Sequence, residues 1–229
     1  MTAARTQNEG RRHHLALRPL RLPRFAERPP GGPLVVALEG PNGAGKTTLC
    51  RALAGFLRVP HFLGTDAAWF SDDFKSRMIR DADWFASAMF FFSDCFEQMR
   101  LLRARPEPLV IMDRSLWSTL AVHGAHSVQR LQALLAMLRP VAAQIHVPDF
   151  TLVLDASFAT CQTRIRRKAA SDRALDQLTA TAAFHARERQ FYRWLARQRP
   201  ELVFLDADQA GPREVAQRGL ALIRQRAPC

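Results

Sequence analysis

Apolar residues fall into two alternating rhythms along the chain. Leu34–Leu38, Leu109–Met112, Phe150–Leu154 and Leu202–Leu205 are short unbroken apolar runs. Such runs, bounded by turn residues, read as strands buried on both faces of a parallel sheet. Between them, apolar positions recur at helical spacing. The predicted helices are Thr47–Leu57, Asp83–Arg103, Ser127–Arg139, Ser157–Lys168, Asp176–Arg197 and Pro212–Arg226. In Ser127–Arg139 the stripe is Val128, Leu131, Leu134, Leu135 and Leu138, and Pro140 ends it because it cannot continue the backbone ladder. His61–Leu63 is a candidate short second strand. Strands alternating with helices predict an α/β fold in three layers, a five-stranded parallel sheet with helices on both faces.

Residues 1–33 lack that patterning. They hold seven arginines against Glu9 and Glu27 and end in Arg28-Pro29-Pro30-Gly31-Gly32-Pro33. They read as a disordered Arg/Pro-rich extension, followed by one domain over 34–229. The arginines suit a mitochondrial transit peptide, but the prolines and the two glutamates argue against one. With 229 residues, 48% apolar, the chain is sized for one well-buried domain. Its net charge of +12 invites a nucleic-acid reading. Only Lys46, Lys75 and Lys168 are lysines, however, so the excess is arginine and looks like coding bias. A solvated basic surface suited to small anions is the expectation, with no nucleic-acid partner. No apolar run approaches the ~20 residues of a membrane span, so no membrane partner is expected. Cysteines 50, 95, 161 and 229 form no Cys-x-x-Cys pair, which speaks against a disulfide framework or zinc site. A reducing, cytoplasmic location follows.

The sharpest signal is Gly40-Pro41-Asn42-Gly43-Ala44-Gly45-Lys46-Thr47, which lies between an apolar strand and a helix start. Glycines there let backbone N–H groups turn inward around phosphate oxygens, and the helix N-terminus adds partial positive charge. Lys46 can reach the β- and γ-phosphates, and the Thr47 hydroxyl can ligate Mg²⁺. Asn42, Gly43, Ala44, Gly45, Lys46, Thr47 and Thr48 are the candidate ATP-binding residues of a P-loop NTPase fold.

The strand Leu109–Met112 is closed by Asp113, followed by Arg114. Carboxyl ends of parallel strands line one crevice, so Asp113 should stand beside the phosphate loop. There it can hold Mg²⁺ through water or accept a proton from an attacking hydroxyl. The bland alternative is a helix N-cap with a surface arginine. Arg114 can grip an anionic acceptor. A third cluster, Arg164, Arg166, Arg167, Lys168 and Arg173, is either a solvated helix face or a mobile lid over the phosphates. In the lid reading its arginines are catalytic.

These clusters, in this order, resemble the thymidylate kinase family of nucleoside-monophosphate kinases, through most of residues 34–225. Asp113-Arg114-Ser115 through Gly124 is similar to that family's Asp-Arg-Tyr segment, and Pro148-Asp149-Phe150-Thr151 to its Pro-Asp strand. Phe91-Phe92-Ser93-Asp94 is similar to its base-pocket helix, and Asp172-Arg173 with Phe184-His185, Arg187, Arg189 and Tyr192 to its lid and the helix behind. The resemblance implies that Phe91 stacks on the acceptor base, unless it is core packing. It also implies that Arg114 contacts the acceptor phosphate or sugar, and that His123 stands where a Gln often reads the base. Asp66, Asp94 and Arg173 complete the implied acceptor site. ATP, Mg²⁺ and a small nucleotide or nucleoside are the implied ligands, and a homodimer the implied assembly.

Three departures bear on the acceptor. The family's Arg-Glu-Pro after the second strand is here Phe62-Leu63-Gly64-Thr65-Asp66, without arginine. Cys95 replaces an arginine, and Ser115 a tyrosine. A charge-assisted hydrogen bond to phosphate is worth about 1.5–3 kcal/mol, so two lost cations matter. Deoxynucleoside kinases share the fold and an acid-Arg-Ser triplet, and in that alternative Asp66 or Asp113 takes the proton from a sugar hydroxyl. A P-loop regulatory ATPase is a third reading. It is disfavoured because no Leu-Ser-Gly-Gly-Gln signature is present and Arg114, not Glu, follows Asp113.

Overall fold

The structure is a computed structural model, and it describes residues 17–63, 71–168 and 181–226. Five strands are present among these residues: β1 (Leu34–Glu39), β2 (His61–Leu63), β3 (Leu109–Asp113), β4 (Phe150–Asp155) and β5 (Leu202–Asp206). They pair in the order β2-β3-β1-β4-β5, every pair parallel. The expected five-stranded parallel sheet is therefore observed. Parallel strands require crossovers, and the helices supply them on both faces. They are α1 (Lys46–Leu57), α2 (Asp72–Arg80), α3 (Trp84–Arg103), α4 (Leu116–Thr119), α5 (Val128–Leu138), α6 (Phe158–Arg166), α7 (Ala182–Ala196) and α8 (Pro212–Arg224).

The core divides along the sheet. One layer gathers the α5 stripe, with Leu131, Leu134, Leu135 and Leu138 all 2% exposed or less, against α4 and α7. The other packs α1 and α8 under Val36, Leu38, Leu152 and Leu154. Burying each such leucine contributes about 1.5–3 kcal/mol, which is why the stripe predicted the helix's inner face. β1, β3, β4 and β5 each end on an acid, Glu39, Asp113, Asp155 and Asp206. Their carboxylates thus gather at one edge of the sheet.

The expectation of an unstructured extension up to residue 33 does not hold for residues 17–33. Leu17 and Phe25 are 2% and 5% exposed within the first core layer. Phe25 meets Trp117 edge-on, with ring centroids 5.5 Å apart. The Ala26 N–H donates to Ile145 O at 3.0 Å, and the Leu22 N–H to Gln198 Oε1 at 2.9 Å. The segment is a strap along α4, α5 and α7. Its apolar anchors are too sparse to form a period, so they escape a search for periodicity. The helix α2 and the wide π-type turn Leu120–Gly124 were also not foreseen. The predicted helix Asp176–Arg197 is observed from Ala182, with Thr181 as its cap and residues 176–180 outside those described. Among the described residues no helix is long and apolar enough to cross a membrane.

Candidate active site

β1 runs into the phosphate loop and the loop into α1. Gly40, Gly43 and Gly45 hold φ values of +125°, +82° and +107°, which L side chains rarely adopt. A Cβ at Gly43 would lie 2.5 Å from Cys161 O, and one at Gly40 2.5 Å from Leu154 O. Sign of φ and space therefore demand glycine together. Lys46 Nζ donates to Gly40 O and Pro41 O, each at 2.8 Å, so the lysine folds back over its own loop. Burial pushes its ammonium down to about 8 and Arg114 pushes the same way, while Asp113, Glu188 and Glu39 oppose.

The β1–β3 register sets Asp113 beside Leu38, two residues before the loop. Thr47 Oγ1 donates to Asp113 Oδ2 at 2.5 Å. Asp113 is 4% exposed, and its Oδ1 is buried with no hydrogen-bond partner. An orphaned carboxylate oxygen beside a threonine hydroxyl fits a hydrated Mg²⁺, which typically takes one or two carboxylates plus water and phosphate oxygens. The helix N-cap alternative fails for Asp113: Ser115 caps α4, accepting from the Trp117 N–H at 3.2 Å.

Arg114 adopts φ +76°, one of two positive-φ non-glycine residues among those described. Its Nη2 donates to Asn42 Oδ1 and its Nη1 to Ser118 Oγ at 3.3 Å. Burial works against its charge, but Asp113, Tyr192, Glu39 and Glu188 outweigh that and raise its pKa. Two of these acids were missed in the sequence. Glu39 is fully buried and accepts hydrogen bonds from Ser115, Ser118 and Tyr192. Glu188 on α7 is 5% exposed, and burial pushes it upward against the pull of Lys46 and Arg114. The signal for Glu39 was available: it ends a strand as Asp113 does. Glu188 gave none, since it stands among the charges of an amphipathic helix.

A cavity of about 550 Å³ opens behind the loop. Residues 42–49, Arg114, Arg164, Arg167 and Lys168 line its polar side, and Leu154, Ala207, Ala210, Pro212 and Val215 its apolar side. Its size and mixed walls suit a nucleotide. Arg164 differs from the expected lid arginine. It stands on α6 and donates to Ala44 O at 2.8 Å and Ala207 O at 2.7 Å, bracing the loop against the end of β5. Arg167 is exposed at the cavity rim just past α6. Arg173 and Asp66 lie outside the described residues.

On the opposite side, Phe91 from α3 and His123 from the π-type turn come together, with ring centroids 5.8 Å apart and tilted by 30°. Burial pushes His123 down to about 4, helped by His126 and Arg130, so its imidazole is neutral. Asp94 is 1% exposed on the same helix. Cys95, which departs from the arginine of the resembling family, is buried with Sγ 3.5 Å from Thr119 Oγ1. Asp149 of the Pro-Asp strand has a scaffolding place: it pairs bidentately with Arg103 at 2.7 and 3.0 Å and accepts the Val35 N–H at 2.7 Å.

Loop, metal-suited acid and flanking arginine on this sheet define a P-loop nucleotide-binding protein. In agreement, residues 35–201 match the family described as an AAA domain. The chain is 31% identical over 208 residues to the thymidylate kinase of Thermomicrobium roseum, covering 80% of this chain and 96% of that one. It belongs to the thymidylate kinase-like family of P-loop nucleoside and nucleotide kinases. Solved structures share the fold at lower identity. The thymidylate kinase of Candida albicans superposes with a TM-score of 0.66 at 16% identity, over 85% of this chain and 92% of that one. Deoxyadenosine kinase from M. mycoides with bound dCTP gives 0.63 at 14%, over 83% and 99%. The thymidylate kinase of Ehrlichia chaffeensis gives 0.62 at 18%, over 84% and 100%.

Proposed function

We propose that this chain transfers the γ-phosphate of ATP to a nucleoside monophosphate, dTMP or a similar one, with Mg²⁺. The observation that carries this reading is the Thr47–Asp113 contact at 2.5 Å, beside a buried carboxylate oxygen that has no partner. Thr47 and Asp113 would hold the metal, directly or through its waters. Bound there, Mg²⁺ would offset charge on the phosphate oxygens. Lys46 leaves the carbonyls of Gly40 and Pro41 for the β- and γ-phosphates. Backbone N–H groups of 42–48 cradle the remaining oxygens. Arg114 grips the acceptor, Phe91 and His123 flank its base, and Arg167 faces the phosphates from the rim. Phosphoryl transfer needs little covalent help, so positioning and electrostatics carry the rate.

Cys95 favours a second reading. Packed against a neutral hydroxyl, it removes a cation from the acceptor side, which suits an uncharged nucleoside or another small hydroxyl compound. An ADP-release assay over a panel of nucleosides and monophosphates decides between the two. Turnover with monophosphates alone, dTMP foremost, is expected. Turnover with nucleosides alone would replace the first reading by the second. ATP hydrolysis without any acceptor, stimulated by a protein partner, would sink both in favour of a regulatory ATPase. The homodimer implied by the resemblance is checked by light scattering.

A further inference from the structure

The catalytic reading uses Arg114 but not the carboxylate behind it. Glu39 is 0% exposed and ends β1, immediately before Gly40. Its Oε1 accepts from Ser115 Oγ at 2.6 Å, and its Oε2 from Tyr192 OH at 2.9 Å and from Ser118 Oγ. Three hydroxyls from α7 and from both sides of the α4 start thus converge on one side chain. Arg114 needs such restraint. A long side chain at φ +76° is sterically disfavoured and persists only where its surroundings over-determine it. Its N–H is tied to Leu38 O at 3.0 Å, one residue before Glu39. The next residue, Ser115, is tied to Glu39 itself, and the guanidinium rests on Ser118, a second ligand of the same carboxylate.

We propose that Glu39 is the positioning residue of Arg114: by gathering Ser115, Ser118 and Tyr192, its buried carboxylate keeps Arg114 in the left-handed conformation with the guanidinium over the phosphate loop. The role rests on the reading of Arg114 as the acceptor-gripping cation, but its geometry is testable without an acceptor. In Glu39→Gln the amide keeps the shape and adds a donor where only an acceptor fits. A crystal structure of this variant should show Arg114 at negative φ and detached from Asn42. Retention of φ near +76° and of the Asn42 contact overturns the proposal, whatever the enzyme phosphorylates. With an active acceptor, kcat/KM for it should fall about 10- to 100-fold, the value of a hydrogen bond to a charged group, while KM for ATP stays within about twofold. In an Arg114→Ala background the same change should add less than about twofold, because the two act as one unit. Losses that multiply would mean a merely structural carboxylate. If Glu39→Gln does not fold, Tyr192→Phe and Ser118→Ala each remove one donor without emptying the core, and carry the same readouts.

Discussion

The two sides of the crevice are built in different ways. The triphosphate side is made from one contiguous segment, residues 40–48, whose glycines at positive φ and folded-back lysine are local properties of the chain. Asp113, one strand away, the braces Arg164 and Ala207, and the cavity walls from Arg114, Arg167 and Lys168 come from elsewhere. The proposed acceptor side is assembled from α3, the turn after α4, α7 and, through Phe25 on Trp117, the N-terminal strap. A site made from contiguous backbone tolerates little local change but is insulated from distant change. A site made from converging side chains inherits the stability of every element that meets there.

The largest expected effect breaks the first side alone. Lys46→Ala should lower turnover by about 10³-fold, because the lysine's charge is needed on the moving phosphoryl group. Far-ultraviolet circular dichroism should show an intact fold, since the hydrogen bonds of Nζ go to two carbonyls of its own loop. Unchanged turnover would end the mechanism. Gly43→Ala should act at the same place for a steric reason, abolishing ATP binding in a calorimetric titration, because its Cβ has 2.5 Å to Cys161 O.

The second expected effect sharpens the contrast from the acceptor side. Phe25→Ala should cost about 3–5 kcal/mol in denaturant unfolding, as for a buried phenylalanine, and should raise KM for the acceptor more than for ATP. Removing residues 1–16 should be compared with removing 1–33. The longer deletion should lose stability comparable to Phe25→Ala or more, because it takes Leu17 and Phe25 out of the core. Equal stability of the two truncations would mean that the strap is not part of the folded unit.

The same division explains what was legible in the sequence. The sheet and most helices could be read because a strand buried on both faces and an amphipathic helix each leave a one-dimensional signature, as in Leu109–Met112 and the leucines of α5. The phosphate loop could be read because its chemistry is contiguous. Asp113 could be placed because parallel strands end at one edge. Arg164 reads in the sequence as part of a solvated helix face or a lid because its neighbours are cationic. Its true partners, the carbonyls of Ala44 and Ala207, are 120 and 43 residues away, and backbone acceptors leave no mark in a sequence. The strap failed for the same reason: Phe25 has its meaning only against Trp117. Glu39 failed differently, since a strand-end acid reads alike whether it faces solvent, metal or three buried hydroxyls.

The smallest expected effect concerns His123, where the acceptor side trades stability for a neutral ring. Folding pushes its pKa down to about 4 from an ordinary 6.5. Below pH 6.5 the unfolded chain therefore binds a proton that the folded chain refuses, and stability falls as pH falls towards 4. Above 6.5 both states are neutral and the penalty vanishes. The full depression corresponds to at most about 3 kcal/mol. His126 and His185, both also shifted downward by burial, act in the same direction below pH 6.5. His123→Gln, which cannot titrate, should flatten the slope of unfolding free energy between pH 6.5 and 4 and leave it unchanged at pH 8. KM for ATP should be untouched, because Phe91 and not the phosphate loop is the ring's neighbour. A variant whose acid slope equals that of the wild type would show that the imidazole is not held neutral by burial.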